Sequence, residues 1–235
     1  MADELRTEHV PTHDGGTMSG RLALPDGGSG PGVLLIHEIF GVNDYMDAVL
    51  DRLAGLGYVA LCVDLFWRID PDHPLPQTEA GMGEAMTRMG SFEVAEATRD
   101  CDAALAYLSR LSEVTGSVAV LGFCLGGTLA FATAVSSEPD AVVSYYGSGV
   151  GDLLDQAEAV HCPVLFHFGT EDPFIPNELA DRVELVFAGR DDVELKRYAA
   201  GHAFDNSFAE MFHQPEAAEE AWGVTADFLR RTLPA

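Results

Sequence analysis

Lysine is almost absent from this sequence, since Lys196 is the only one among 235 residues. The 13 basic residues are outnumbered by 38 acidic ones, which leaves a formal net charge of -25 at pH 7. A field of that sign repels nucleic acids and anionic membranes, so we expect neither as a partner. Because molar salt shortens the Debye length to about 3 Å, a salt-adapted cytoplasm is one explanation of the acidic excess.

Long apolar runs and closely spaced cysteine pairs are missing as well. No uninterrupted apolar stretch is long enough to cross a bilayer, and no basic-then-apolar segment precedes a small-residue cleavage site at the start. The four cysteines lie far apart, without the C-x-x-C pair that is typical of zinc sites or redox dithiols. We therefore expect a cytoplasmic protein with reduced cysteines and no metal site.

Apolar segments of strand length alternate with stretches of helical period. GVLLIHE (32–38) and YVALCVDLF (58–66) bracket NDYMDAVLDRLAGLG, whose apolar residues approximate one helical face. Further strands are predicted in SVAVLGF, AVVSYYG, CPVLFHFGT and VELKRYA, with helices between them and at the end, and EHVPTHDGGTMSGRLALP predicts an edge hairpin. The pattern predicts an α/β fold, a mostly parallel sheet with helices on both faces, in a single domain over residues 1–235.

One segment departs from this alternation. Residues 66–90 are rich in proline and glycine, and Met82, Met86 and Met89 recur there at helical spacing. We interpret the segment as a lid over a site, although a methionine stripe is also typical of ordinary core packing.

The stretch VAVLGFCLGG matches the G-x-S-x-G pattern with sulfur in place of oxygen. A nucleophile on a strained strand-to-helix turn leaves no room for side chains two residues away, which accounts for Gly122 and Gly126. The turn would aim the Cys124 sulfur out of the carboxyl edge of the sheet, near the positive end of the next helix, which favours a thiolate. The alternative is a buried structural cysteine at a tight turn. A phosphate loop is disfavoured because neither of its glycine signatures is present.

A nucleophilic thiol needs a base, and the base needs an orienting carboxylate. CPVLFHFGTEDPFIP predicts a strand that runs into Asp172, and VELKRYAAGHAF predicts a strand followed by His202. Each residue alone is ordinary, but their order after the elbow is the one that this architecture requires. Glu38, in LLIHEIFG, has two interpretations: an acid near the sulfur, or a loop glutamate ahead of the next helix.

Together, HEIFG, GFCLGG, YYG, GTEDPFIP and GHAF resemble the dienelactone hydrolase family of α/β-hydrolases, and the resemblance covers essentially the whole chain. It implies an α/β-hydrolase fold in which Cys124 is the nucleophile, His202 the base and Asp172 the orienting partner. It also implies that the backbone amides of Ile39 and Leu125 form an oxyanion hole.

The same resemblance implies a role for Glu38, whose carboxylate would pair with the resting thiol and take up its proton when substrate arrives. Such an enzyme requires no metal or organic cofactor. The predicted substrate contacts are Phe40, Tyr145 at a strand end, Arg68 in DLFWR, which matches a family arginine, and Arg88, which would reach the pocket from the lid.

Two departures from the family bear on the substrate. The family holds a substrate carboxylate with one arginine after the DLF strand and another just after the catalytic histidine. Here GHAFDNSF has Asp205 and Asn206 beyond His202, and TEAGMGEAMTRMG has alanine or glycine at the first position. Losing one charged hydrogen bond costs about 1.5 to 3 kcal/mol, so we predict a neutral or less acidic ester or lactone.

The sequence thus predicts a cysteine-dependent hydrolase that acts on a small-molecule lactone or carboxylic ester through an acyl-thioester, as a monomer or small homo-oligomer. A dedicated lactonase and a promiscuous esterase would share every visible feature. The alternative from another class is a non-catalytic or thiol-sensing binding protein on the same fold.

Overall fold

The computed structural model describes residues 5–234. Its centre is an eight-stranded sheet in which the strands follow the order β1-β2-β4-β3-β5-β6-β7-β8. The strands are β1 Arg6–Pro11, β2 Thr17–Ala23, β3 Gly30–Ile36, β4 Val59–Val63, β5 Val114–Phe123, β6 Ala141–Tyr145, β7 Val164–Gly169 and β8 Val193–Tyr198. Strands β3 to β8 run parallel, and the β1–β2 hairpin joins β4 antiparallel at one edge. The predicted mostly parallel sheet with an edge hairpin is confirmed.

Six α-helices surround this sheet within the described residues. They are α1 Asp44–Gly55, α2 Glu79–Met89, α3 Val94–Leu108, α4 Leu125–Ser136, α5 Asn177–Val186 and α6 Pro215–Thr232. Between β6 and β7 the structure has two short 3₁₀ helices, Ser148–Asp152 and Leu154–Ala159, where we expected an α-helix. Glycines at 149 and 151 disfavour a longer helix there. None of the helices in residues 5–234 has the length and apolar character needed to span a membrane.

The strand order reverses at β3, and this reversal positions the site. From β3 the chain passes through α1 to β4, which neighbours β3 on one side within the sheet. It later passes through α3 to β5, which neighbours β3 on the other side. Right-handed crossovers in opposite directions place α1 and α3 on opposite faces of the sheet. Strands β3, β4, β6 and β7 are buried along their whole length, as expected for a sheet covered on both faces. A crevice opens at the carboxyl ends of β3 and β5, where ligands bind in sheets of this kind.

Candidate active site

Cys124 occupies the turn between β5 and α4 with φ 55° and ψ -114°, a backbone conformation that non-glycine residues rarely adopt. A Cβ on Gly122 would overlap the backbone of Gly126, and a Cβ on Gly126 would overlap the carbonyl group of Ile36. The Cys124 amide donates to the Tyr145 carbonyl at 3.0 Å, which ties the turn to β6. The strained elbow therefore depends on both glycines.

The structure brings two predicted residues, His202 and Asp172, from distant loops to this turn. His202 Nε2 lies 3.1 Å from Cys124 Sγ, and His202 Nδ1 lies 2.7 Å from Asp172 Oδ2. The other carboxylate oxygen, Oδ1, accepts the amides of Phe174 and Ile175 at 2.8 and 3.2 Å. Because these two bonds fix the carboxylate, Asp172 holds the imidazole with one nitrogen directed at the sulfur.

The pKa of His202 is raised to about 10. Burial by itself lowers this pKa, but the hydrogen bonds to Asp172 and Cys124 and the charges of both partners outweigh it. Aromatic rings enclose the imidazole, with the Tyr146 centroid at 5.2 Å and Phe174 edge-on at 5.1 Å. The ring therefore carries a proton at neutral pH.

Glu38 follows β3 and is buried, with 2% of its surface exposed. Its Oε2 accepts a hydrogen bond from Asn206 Nδ2 at 2.6 Å, and its Oε1 accepts one from the Tyr146 hydroxyl at 3.4 Å. Burial raises the pKa of Glu38 to about 7, although the Asn206 bond and the charge of His202 lower it. This carboxyl group thus changes charge near neutral pH.

The hydrogen bonds of Glu38 differ from those that the family resemblance implies. Asn206 and Tyr146 engage both carboxylate oxygens, while the Cys124 sulfur is hydrogen-bonded to His202. In this conformation the resting thiol is therefore paired with the imidazole rather than with Glu38.

The two amides expected to form an oxyanion hole border the cysteine. Leu125 is the first residue of α4, and Ile39 lies three residues beyond the end of β3. The register that pairs Ile36 with Gly122 brings the two strand ends together. Within residues 5–234, neither amide donates a hydrogen bond to a protein acceptor. Both N–H groups can therefore donate to a ligand oxygen, and the positive end of α4 adds to their effect.

A cavity of about 360 Å³ opens beside Cys124. Most of its wall is apolar, formed by Phe40, Met82, Met86, Met89, Phe174 and Phe212. The methionine stripe of α2 and Phe40 thus line the same cavity as Cys124. Ala85, on the same helix, packs against Phe40 and Leu75 and so anchors α2 at the rim.

Arg68, which we predicted to contact substrate, lies outside this cavity. Its guanidinium donates to the buried carboxylate of Asp100 and to Asp14 at 3.0 Å, and it stacks over the Trp67 ring at 4.1 Å. The prediction needs correction because these partners, from the first hairpin and α3, hold the charge away from the sulfur.

Arg88 and Tyr145 also have other partners. The Arg88 guanidinium donates to Asp70 at 2.5 Å and to the His73 carbonyl at 3.0 Å, within the lid segment. Tyr145 is fully buried, and its hydroxyl shares a hydrogen bond with Thr225 of α6 at 2.6 Å. Neither side chain lines the cavity, so both predicted substrate contacts are corrected.

Asn206 was not predicted to be a partner of Glu38. Its amide also donates to Gln77, so it links Glu38 to the segment before α2. Phe174 was missed too, although it follows Asp172 by only two residues. The only sequence signal for Asn206 was its closeness along the chain to His202, and the only signal for Phe174 was its closeness to Asp172.

The fold and this site define the chain as an α/β-hydrolase. A model of the dienelactone hydrolase family matches residues 18–233, and the chain belongs to that family. A carboxymethylenebutenolidase from Pseudomonas sp. is 36% identical over 94% of this chain and 92% of its own length. Another from Cupriavidus pinatubonensis is 32% identical over 87% of this chain and 88% of its own.

The structural comparison agrees. The crystal structure of a dienelactone hydrolase-like promiscuous phosphotriesterase from metagenomic libraries has a TM-score of 0.80 and 26% identity over 98% of this chain and 100% of that one. The predicted family and fold are thus confirmed. The chain is an enzyme, a lactone or ester hydrolase.

Proposed function

We propose that this enzyme hydrolyses a carboxylic ester or lactone with Cys124 as the nucleophile, through an acyl-thioester intermediate. The observation that carries the proposal is the 3.1 Å contact between Cys124 Sγ and His202 Nε2. Because the pKa of His202 is raised to about 10, the imidazole holds a proton at neutral pH, which favours a thiolate beside an imidazolium.

In the first step the thiolate forms a bond to the carbonyl carbon, and the amides of Ile39 and Leu125 stabilise the oxyanion. The alcohol oxygen leaves with its bonding electrons and takes the proton from His202. Water then attacks the thioester and gives one proton to His202, which releases the acid and regenerates the thiolate beside the protonated imidazole. Asp172 keeps the ring oriented throughout. With a lactone the alcohol remains attached to the acyl group.

Glu38 belongs to the same proposal as the acceptor of the thiol proton when substrate arrives, which leaves the thiolate and the protonated His202 for the first step. It lines the cavity together with Cys124, and its pKa of about 7 suits exchange of a proton at neutral pH. Residues 66–90 form the lid of a single hydrolase domain, a role supported by the methionines that α2 directs at the cavity.

The direct test is mass spectrometry of the enzyme quenched with acid during turnover of 4-nitrophenyl acetate. We expect an acetyl group on Cys124 in wild type and no adduct or turnover in Cys124→Ala. Cys62, Cys101 and Cys162 serve as internal controls, because burial raises the pKa of each thiol, that of Cys162 to about 11. Undiminished turnover in Cys124→Ala would contradict the proposal, and an adduct that is never released would favour a binding protein.

A further inference from the structure

The side chains that line the cavity beside Cys124 differ from the arginine-held carboxylate site that the family resemblance implies. Its walls are dominated by methionine, phenylalanine and valine side chains, and no lysine or arginine lines it among the described residues. The titratable groups that line it are Glu38, Cys124 and His202. An incoming carboxylate would therefore meet an apolar wall and a neighbouring acid, and the only cation of the described lining is the His202 imidazolium, which is already paired with Asp172 and Cys124.

Exposed apolar side chains gather around the mouth of this cavity. Met86 and Phe174 are each 61% exposed, and Val94 is 42% exposed, although large apolar residues usually avoid water. All three line the cavity. They come from α2, from α3 and from the turn after Asp172, so one local irregularity does not explain their exposure. Apolar surface concentrated at a concave site is typical of a surface that a ligand covers.

The size and flexibility of the wall limit the ligand further. An apolar cavity of about 150 Å³ holds benzene, so about 360 Å³ corresponds to an apolar group of about a dozen non-hydrogen atoms. Three of the wall residues, Met82, Met86 and Met89, are unbranched and adapt to groups of different shape.

We propose, on the basis of the hydrolase function above, that the site takes uncharged esters or lactones whose medium-length apolar group lies against the methionine and phenylalanine wall. A carboxylate at the end of that group is rejected. Such a substrate lacks the carboxylate that the family resemblance implies.

The test compares kcat/KM for matched substrates of the full chain. In the acyl series, 4-nitrophenyl acetate, hexanoate and hydrogen adipate differ in chain length and then only in a terminal carboxylate. In the alcohol series, ethyl acetate and hexyl acetate differ in chain length, and 6-acetoxyhexanoate differs from hexyl acetate only in its terminal carboxylate. We expect the longer neutral ester to exceed the short one by about tenfold or more in at least one series, because each added methylene is buried. In that series we expect kcat/KM for the carboxylate-ended ester to be lower than that for the neutral ester of the same length by about tenfold or more.

Two variants locate the effect. Met86→Arg places a cation on an exposed wall residue. We therefore expect it to reduce or reverse the ratio of kcat/KM for the neutral ester to kcat/KM for the carboxylate-ended ester of the same series. Leu185→Arg is the matched control, because Leu185 is 76% exposed on α5 and does not line the cavity, and it leaves the preference unchanged. Flat chain-length profiles in both series would overturn the substrate assignment alone. The same holds if, in the series with the chain-length effect, wild type has equal kcat/KM for the carboxylate-ended ester and its neutral partner. No turnover of any ester would instead overturn the proposed function.

Discussion

Asn206 donates a hydrogen bond from its side-chain nitrogen to Oε2 of Glu38 at 2.6 Å, and both side chains are buried. The donor is an uncharged amide, so it offsets less of the desolvation of the carboxylate than a cation would. The pKa of Glu38 therefore stays raised, at about 7. This pair makes one buried charge of the site dependent on pH within the neutral range.

Replacing Glu38 with glutamine changes how stability depends on pH. As pH rises from about 4.5 to about 7, the unfolded chain loses the Glu38 proton while the folded chain keeps it, so the free energy of unfolding falls. We therefore expect the free energy of unfolding of Glu38→Gln, relative to that of wild type, to be higher at pH 8 than at pH 5 by up to about 3 kcal/mol. Urea denaturation at both pH values measures this gain. Glu210→Gln is the control, since its exposed carboxylate has no burial to relieve, and an equal difference at both pH values would contradict the prediction.

Removing the amide donor shifts the titration of its partner upward. In Asn206→Leu the carboxylate loses a charged hydrogen bond worth about 1.5 to 3 kcal/mol, so the pKa of Glu38 rises by about one to two pH units. Infrared spectroscopy follows the carbonyl stretch of the protonated carboxyl group, identified as the band that Glu38→Gln removes. Gln77→Leu removes the other acceptor of Asn206 without contacting Glu38. We expect it to change the pH midpoint of the band less than Asn206→Leu does. An unchanged titration in Asn206→Leu would show that burial alone sets the pKa.

The Asp172 carboxylate makes separate contacts with the turn that follows it and with His202. Asp172→Asn keeps an oxygen for the amides of Phe174 and Ile175, but it loses the charge that faces His202. We expect kcat/KM to fall by about 10² to 10⁴ with little change in the melting temperature. Asp172→Ala loses the turn bonds as well, so it lowers both quantities. Full activity in the asparagine variant would exclude an orienting role for the charge.

The elbow tolerates no side chain at Gly126. A Cβ there would overlap the carbonyl groups of Ile36 and His37, so Gly126→Ala forces the β3 end or the cysteine turn to move. We expect a loss of about 1 to 3 kcal/mol of stability together with most of the activity. Gly223→Ala, on the exposed side of α6 with open space around it, gains up to about 1 kcal/mol instead. Thermal unfolding and ester hydrolysis of both variants measure the contrast, and similar behaviour of the two would contradict it.

Residues whose placement depends on local backbone rules were predictable from the sequence. The elbow glycines around Cys124 follow from a steric requirement within five residues. The positions of Asp172 and His202 follow from the rule that parallel strands end at one edge of the sheet. The strands and the edge hairpin were also accessible to prediction, since apolar runs and turn residues are local signals.

The tertiary structure alone decided which partners the long polar side chains have. Arg68 meets Asp100 of α3, Arg88 meets Asp70, and Tyr145 meets Thr225 of α6, because these groups form their hydrogen bonds with elements that sequence spacing does not bring together. The contact of Asn206 with Glu38 joins residues 168 positions apart. The sequence by itself determined the positions of Cys124, Asp172 and His202 at one edge of the sheet, because those positions obey backbone geometry. Tertiary packing decided that Arg68 and Arg88 pair with aspartates outside the cavity, so neither arginine lines it.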